Sequence, residues 1–189
     1  MAVVIIVTVL ATLASPLFVE QWREQSRGGR QAATQVAQVY SQARMRAMAR
    51  GAAVMVRWNS ATGFVVEESI EGTAAVARGH DKCEEQPGLG CLSNDWTSNK
   101  LTIQEYKTAN AVAVAGKKGD GTAMTQMNVC FTPLGRSFVS YDGSAPTAPL
   151  VTTPSFDVQR LDNEGGTFTA RGMVRTVVLL PNGTARLAL

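Results

Sequence analysis

Ala2–Val19 reads AVVIIVTVLATLASPLFV, eighteen residues without a charge, and Gln31–Arg50 reads QAATQVAQVYSQARMRAMAR. Read together, the two stretches decide the fold. As a helix the first covers ~27 Å, close to the ~30 Å of a hydrocarbon core. Thr8, Thr12 and Ser15 can return their hydroxyls to the helix backbone, so they do not forbid insertion. Pro16 kinks such a helix or loosens the turn before it. In the second stretch Ala33, Val36, Tyr40, Ala43 and Ala47 recur at three- and four-residue steps. That period predicts an amphipathic helix with Arg44, Arg46 and Arg50 left to solvent. Gly28-Gly29 predicts a flexible point between the two helical parts. Residues 1–22 therefore read as a transmembrane segment and 23–51 as its amphipathic extension. Two other readings of the first stretch stay open. One is an apolar helix buried in a soluble protein. The other is a cleaved secretory signal ending near Thr12-Leu13-Ala14, which lacks the charged n-region and needs no amphipathic continuation.

The whole chain has 189 residues, enough for one globular domain plus an attached segment. Charged residues make up 17%, below the roughly 25% of ordinary soluble domains, and the uncharged start contributes to that deficit. Net charge is +3, too small by itself to argue for nucleic acid, so a DNA reading must rest on where the arginines lie. No basic residue precedes the apolar stretch, whereas Arg23, Arg27 and Arg30 follow it. The positive-inside rule would then leave the C-terminal bulk in the cytoplasm, on the reducing side of the membrane. The cysteines point the other way. Cys83 and Cys91 flank Glu84–Gly90, which favours a small disulfide loop in an oxidising compartment, with two free thiols as the alternative. Cys130 sits in an apolar run and reads as a buried thiol.

From about Ala52 the period changes from helical to alternating. Strands are expected at Ala53–Trp58, Phe64–Glu68, Leu101–Tyr106, Val129–Thr132, Arg136–Tyr141, Ser155–Leu161 and Met173–Leu180. Turn signals separate several of them: Asn59–Gly63, Asp142-Gly143 and Asn182-Gly183. Short strands without intervening helices predict an α+β chain whose residues 52–189 form an antiparallel β-sandwich. Arg171–Leu189 should be a hairpin with Asn182-Gly183 at its tip, and the sequon Asn182-Gly183-Thr184 is more simply a turn than a glycan site. Ser144–Pro154, with three prolines, predicts an extended surface loop. Gly72–Lys100 reads as the variable, partner-facing insertion. Gly116–Gly121 (GKKGDG) predicts a mobile turn, without the ending of a phosphate-binding loop or enough oxygens for calcium.

At this level four phrases in order resemble the GspH/FimT family of type IV pilin-like minor pseudopilins. They are the apolar helix with its proline, the phrase Ala43–Gly51 (ARMRAMARG) before the strand Ala53–Trp58, Cys130–Gly135 (CFTPLG), and the hairpin Thr176–Gly183 (TVVLLPNG). The resemblance covers nearly the whole chain except Ser69–Gly121. It implies a pilin-like fold and a structural subunit of a type II secretion pseudopilus or type IV pilus. Such a subunit is held in the bacterial inner membrane by a single pass, with the C-terminal domain in the periplasm and other pilin or pseudopilin subunits as partners. Family members carry a basic leader and a glutamate near the start of the helix, and neither is present. Aligning Pro16 with the family's helix proline places Met1 at an internal position. The sequence is therefore expected to start late, with the residues read by the prepilin peptidase restored upstream. A chain beginning at Met1 would lack the glutamate's register contact and should assemble poorly.

Function classes then follow. Small residues let apolar helices approach closely, and Ala11, Ala14, Ser15 and Pro16 are the candidate packing and assembly residues. The alternative is a FimT-like DNA-binding minor pilin serving DNA uptake in transformation. That subgroup carries a G-R-x-R phrase where this chain has Gly183-Thr184-Ala185-Arg186, so one arginine is replaced by threonine. Arg171, Arg175 and Arg186 are the candidates for phosphate contact, against ordinary solvated arginines. An enzyme is the least supported class. His80 is the only histidine and stands near no nucleophile motif, and no cofactor or metal site is expected. Glu67-Glu68 and Glu84-Glu85 are adjacent pairs. On a strand, neighbours point to opposite faces, so they read as solvated charge.

Overall fold

In the computed structural model, residues 28–69, 91, 96, 100–107 and 112–188 are described. A helix, α1, occupies 28–50 and buries Ala32, Ala33, Val36, Val39, Tyr40, Ala43 and Ala47 along one face. The spacing of those residues is the reason it forms: the apolar stripe needs a surface to cover, and most helical stability comes from that burial. Gly51, at φ +67°, turns the chain out of the helix in the left-handed region that ends many helices.

Eleven strands follow among the described residues, all paired antiparallel. β1 (Val54–Asn59), β2 (Gly63–Ser69), β3 (Lys100–Tyr106), β6 (Gln126–Phe131), β7 (Ser137–Ser140) and β8 (Ala148–Pro149) form one sheet, in the order β3-β2-β1-β6-β7-β8. β4 (Val112–Lys117), β5 (Ala123–Met124), β9 (Ser155–Glu164), β10 (Thr167–Leu179) and β11 (Ala185–Leu187) form the other, in the order β11-β10-β9-β4-β5. The chain is thus α+β, one helix and then two antiparallel sheets. Helix and sheets share one core. Val54, Val56, Trp58, Phe64 and Val66 of the first sheet meet Phe156, Val158, Val177 and Leu179 of the second and the buried face of α1. Tyr40 stacks on Phe156 (5.8 Å between centroids) and meets Phe64 edge-on (6.1 Å), so the helix touches both sheets through one ring. Burial pushes the Tyr40 phenol well above its ordinary value, and the nearby Tyr141 adds to the rise.

Strand alternation gives the first sheet a second buried side. Ala53, Met55 and Cys130 pack there with Cys91 and Trp96. A disulfide joins Cys91 to Cys130, and the Trp96 indole N–H donates to the Cys91 carbonyl (3.3 Å). This corrects the expected pairing of Cys83 with Cys91 and the free thiol expected at Cys130. Cys130 is the penultimate residue of β6, facing the side that Cys91 covers, while Cys83 lies outside the described residues.

Other expectations change as well. Gly28 and Gly29 are helical. A Cβ on Gly28 would lie 3.5 Å from Arg160 Cδ, and one on Gly29 would lie 3.7 Å from the Met173 carbonyl, ordinary contact distances that place the start of α1 against β9 and β10. Gly116-Lys117 belong to β4, and the turn is confined to the residues after them. Within Ser144–Pro154, Ala148–Pro149 pairs with Phe138 and Val139 as an edge strand, and Leu150 is buried. Proline is tolerated there because an edge strand needs no full set of donors.

Candidate functional site

With one face of α1 committed to the core, the opposite face is the surface that the fold leaves for a partner. Gln31, Gln35, Gln38, Gln42, Met45 and Ala49 are all exposed. At about 100° per residue, positions spaced +4, +3, +4, +3, +4 stay within about 40° of a single line. The line is uncharged over its whole length. Beside it the Thr34 hydroxyl donates to the Arg30 carbonyl (2.9 Å) and the Ser41 hydroxyl to the Ala37 carbonyl (3.1 Å), so both are satisfied within the helix. A shallow groove lined by Arg30, Gln31, Thr34, Gln35 and Gln38 runs along its first half. A second groove lies between α1 and the edge strand β3, with an apolar floor of Val39, Ala43, Val66 and Ile103 and a rim of Gln42, Arg46 and Gln104.

Two arginines of the second half of the helix are directed away from this line. Arg46 Nε donates to Glu68 Oε2 at 2.6 Å and Arg50 Nε to Glu68 Oε1 at 3.0 Å, and the Glu68 side chain is only 1% exposed. On the opposite face of β2, Arg57 Nε donates to Glu67 Oε2 (2.7 Å) and Lys100 Nζ to Glu67 Oε1 (2.6 Å). The expectation that the two glutamates face opposite ways holds; the expectation of solvated charge does not. Each is buried because two cations reach it. Arg46 and Arg50 are correspondingly ion-paired rather than simply solvated.

β9 and β10 continue past their neighbours as a two-stranded arm. Among the described residues, β4 pairs with β9 as far as Arg160, and β11 pairs with β10 over Val177–Leu179. Beyond those points β9 and β10 pair with each other to Glu164 and Thr167, through a register break between Arg171 and Arg175. The arm holds two ion pairs, Arg160 with Asp162 (2.9 Å) and Arg171 with Glu164 (2.5 Å).

The three candidate arginines are not gathered by this geometry. Arg175 is opposite Val158, which points into the core, and Arg171 is opposite Arg160 on the same side of the ribbon. Arg186 is opposite Val178, whose neighbours Val177 and Leu179 point inward, so Arg186 projects from the other face. Ala11, Ala14, Ser15 and Pro16 lie outside the described residues. Among the described residues no helix is long and apolar enough to cross a membrane, and no group of three His, Cys, Asp or Glu could hold a metal ion.

The glutamine line was missed at the sequence level, although its heptad spacing is readable in QxxxQxxQxxxQ. Glutamine carries neither hydropathy nor charge, the two quantities that make a face conspicuous.

No family model matches the chain, and no curated relative matches it by sequence. Two solved structures are similar to it, both of the type IV minor pilin FimU from Pseudomonas aeruginosa strain PAO1. The first, in space group P65, has a TM-score of 0.45 at 11% identity over 85% of this chain and 92% of that one. The second, in space group P21, has a TM-score of 0.42 at 12% identity over 91% and 92%. At such scores the likeness carries no inference about residues or role.

Proposed function

We propose that this chain is a structural subunit of a bacterial pilus-like filament, a minor pilin or pseudopilin of a type II secretion pseudopilus or type IV pilus, and not an enzyme. One observation supports the reading most directly: α1 closes the core with one face and presents an uncharged line, Gln31 to Ala49, on the other. A helix serving only its own domain ordinarily turns charge to water on its outer face. An uncharged line at three- and four-residue spacing suits packing against another helix, because nothing on it must be stripped of a hydration shell. The apolar run Ala2–Val19 precedes this helix in sequence and supplies the anchor. In this reading the run crosses the inner membrane once and the β domain stands in the periplasm, where oxidation of Cys91 and Cys130 is favoured. Sibling subunits are the partners. The arginines on the hairpin face different ways, so no DNA-receptor role is proposed.

The test is to place charge on the line, as Gln35→Glu with Gln42→Glu, in the chain expressed from its own reading frame. Incorporation into sheared filaments should fall by about tenfold, the effect of ~1.4 kcal/mol for the two substitutions together. Thermal stability should hardly move, since both positions are exposed. Filament yield equal to that of the unaltered chain would remove the reading.

A further inference from the structure

We propose that Met45 and Met48 form a methionine-oxidation site, at which hydrogen peroxide decides whether the outer face of α1 packs against a sibling. This rests on the assembly reading of α1 and adds a chemical control to it.

Six of the seven methionines are among the described residues, and burial divides them. Met55, Met124 and Met127 are held in the interior, whereas Met45, Met48 and Met173 are 58%, 43% and 60% exposed. An oxidant carried by water reaches the second group and not the first. Two of its three members stand together. Met45 belongs to the uncharged line, and Met48, three positions on, is its neighbour on the helix surface. Met48 rests against the turn between β6 and β7, where a Cβ on Gly135 would lie 3.7 Å from its sulfur. Leu134, in the same turn, is 86% exposed.

This patch supplies what the rest of the line lacks. Gln31, Gln35, Gln38 and Gln42 present amides, which both donate and accept hydrogen bonds but bring little apolar area. The apolar contact of the line is therefore concentrated at its end, on Met45, Met48 and Leu134. Methionine suits such a place, because its unbranched, polarisable side chain adapts to the surface it meets.

The reaction is a two-electron oxygen transfer. A lone pair of the thioether sulfur attacks one peroxide oxygen, and the S–O bond forms as the O–O bond breaks. The departing hydroxide takes the proton of the transferred oxygen and leaves as water. Methionine is thereby oxidised to the sulfoxide and hydrogen peroxide is reduced. The sulfoxide oxygen accepts hydrogen bonds, and unlike a glutamine amide it has no proton to offer in return. Packing it against a sibling strips water from that oxygen. Both side chains lie outside the core, so the change falls on the contact and not on the fold. A sibling seated on the patch shields the two sulfurs, so peroxide acts on subunits before they assemble.

The experiment uses the full chain expressed from its own reading frame. Cells are sheared to remove filaments, exposed to dilute hydrogen peroxide, and left to regrow them. Peptide mass spectrometry reads the sulfoxide at each methionine, and the chain in regrown filaments is measured relative to the other subunits. Incorporation of the unaltered chain should fall at least about fivefold after peroxide, while Met45→Leu with Met48→Leu stays within about twofold of its untreated level. Met173→Leu should fall as the unaltered chain does. An equal fall in the paired leucine variant would overturn the site. Full incorporation of unaltered chain carrying sulfoxide at both positions would overturn it too; if Gln35→Glu with Gln42→Glu is still excluded, the assembly line stands without it. Full incorporation of the oxidised chain and of the charged variant would overturn the line as well. A thermal midpoint lowered by peroxide in the unaltered chain, but not in the paired leucine variant, would assign the damage to the fold and overturn the control at the contact.

Discussion

Glu67 and Glu68 are adjacent in β2 but join different layers. Glu68 ties the sheet to Arg46 and Arg50 of the helix, while Glu67 ties the outer face of the same sheet to Arg57 and Lys100. Removing Glu68 should cost about 2–3 kcal/mol. That is less than the ~3–5 kcal/mol of an orphaned buried charge, because the arginines left behind are half-exposed and regain water. Glu105→Ala, by contrast, breaks only an exposed 3.9 Å contact with Lys107 and should stay within about 0.5 kcal/mol. Urea titrations of Glu68→Ala and Glu105→Ala compare the two, and equal midpoints would show that Glu68 binds nothing of consequence. Asp157 behaves differently. Burial pushes its carboxyl up, but hydrogen bonds from Lys117 Nζ (2.8 Å) and Thr176 Oγ1 (2.7 Å), with the lysine charge, outweigh this and hold it below its ordinary value. A depressed folded value means that its stabilisation is present above the unfolded value near ~3.9 and is lost as pH falls through the folded one. Asp157→Asn should therefore flatten the acid limb of unfolding below about pH 4, as followed by circular dichroism. An unchanged acid limb would count against the Lys117 and Thr176 contacts.

Among the elements, the C-terminal hairpin shows what a turn signal does and does not disclose. Asn182-Gly183 marks the tip, and the Asn182 side chain accepts hydrogen bonds from Thr184 N and Oγ1 (3.0 and 2.7 Å). Gly183 is at φ +78°, and a Cβ there would come within 2.5 Å of both Phe131 Cε1 and Ser137 Oγ. Gly183→Ala should cost about 2–4 kcal/mol from backbone strain and overpacking together. Gly165→Ala, at φ +63° with nothing within 4 Å, should cost only about 1–2 kcal/mol. Thermal melts of the two variants decide it, and equal losses would mean that the tip is not docked under Phe131. The turn was readable from sequence; its docking on Phe131 and Ser137, some fifty residues earlier, was not. The same distinction runs through the other elements. The amphipathic helix was legible because its apolar period is local, and seven expected strands overlap observed ones because alternation is local too. β4 was not recognised. Val112–Lys117 (VAVAGK) alternates small residues and ends in a Gly/Lys run, which was read as a turn. The burial of Glu68 was illegible for a related reason, since its partners are 22 and 18 positions away and only the packing of α1 on β2 brings them together.

At the scale of the molecule, the Cys91–Cys130 disulfide fastens a long insertion to the outer side of the first sheet across 39 residues. Sequence spacing favoured the nearer pair, Cys83 with Cys91, because a short loop is simple to draw. With three cysteines, however, three pairings exist, and only the sheet's outward face at Cys130 selects among them. Cys130→Ser should destabilise by about 3–4 kcal/mol on the loop-closure argument. Peptide mapping of the non-reduced protein should recover Cys91 joined to Cys130. A Cys83–Cys91 peptide would contradict the arrangement. The candidate assembly surface was the least legible feature, because it is defined by what the core leaves uncovered, and only the completed fold shows that. The shared core has a practical consequence for anyone preparing a shortened, water-soluble form. Cutting after Gly51 would remove Val36, Tyr40 and Ala43, strip the cover from Phe64 and Phe156, and yield an aggregating remnant. A truncation beginning at the glycine pair discards the greasy leader yet keeps the interior sealed.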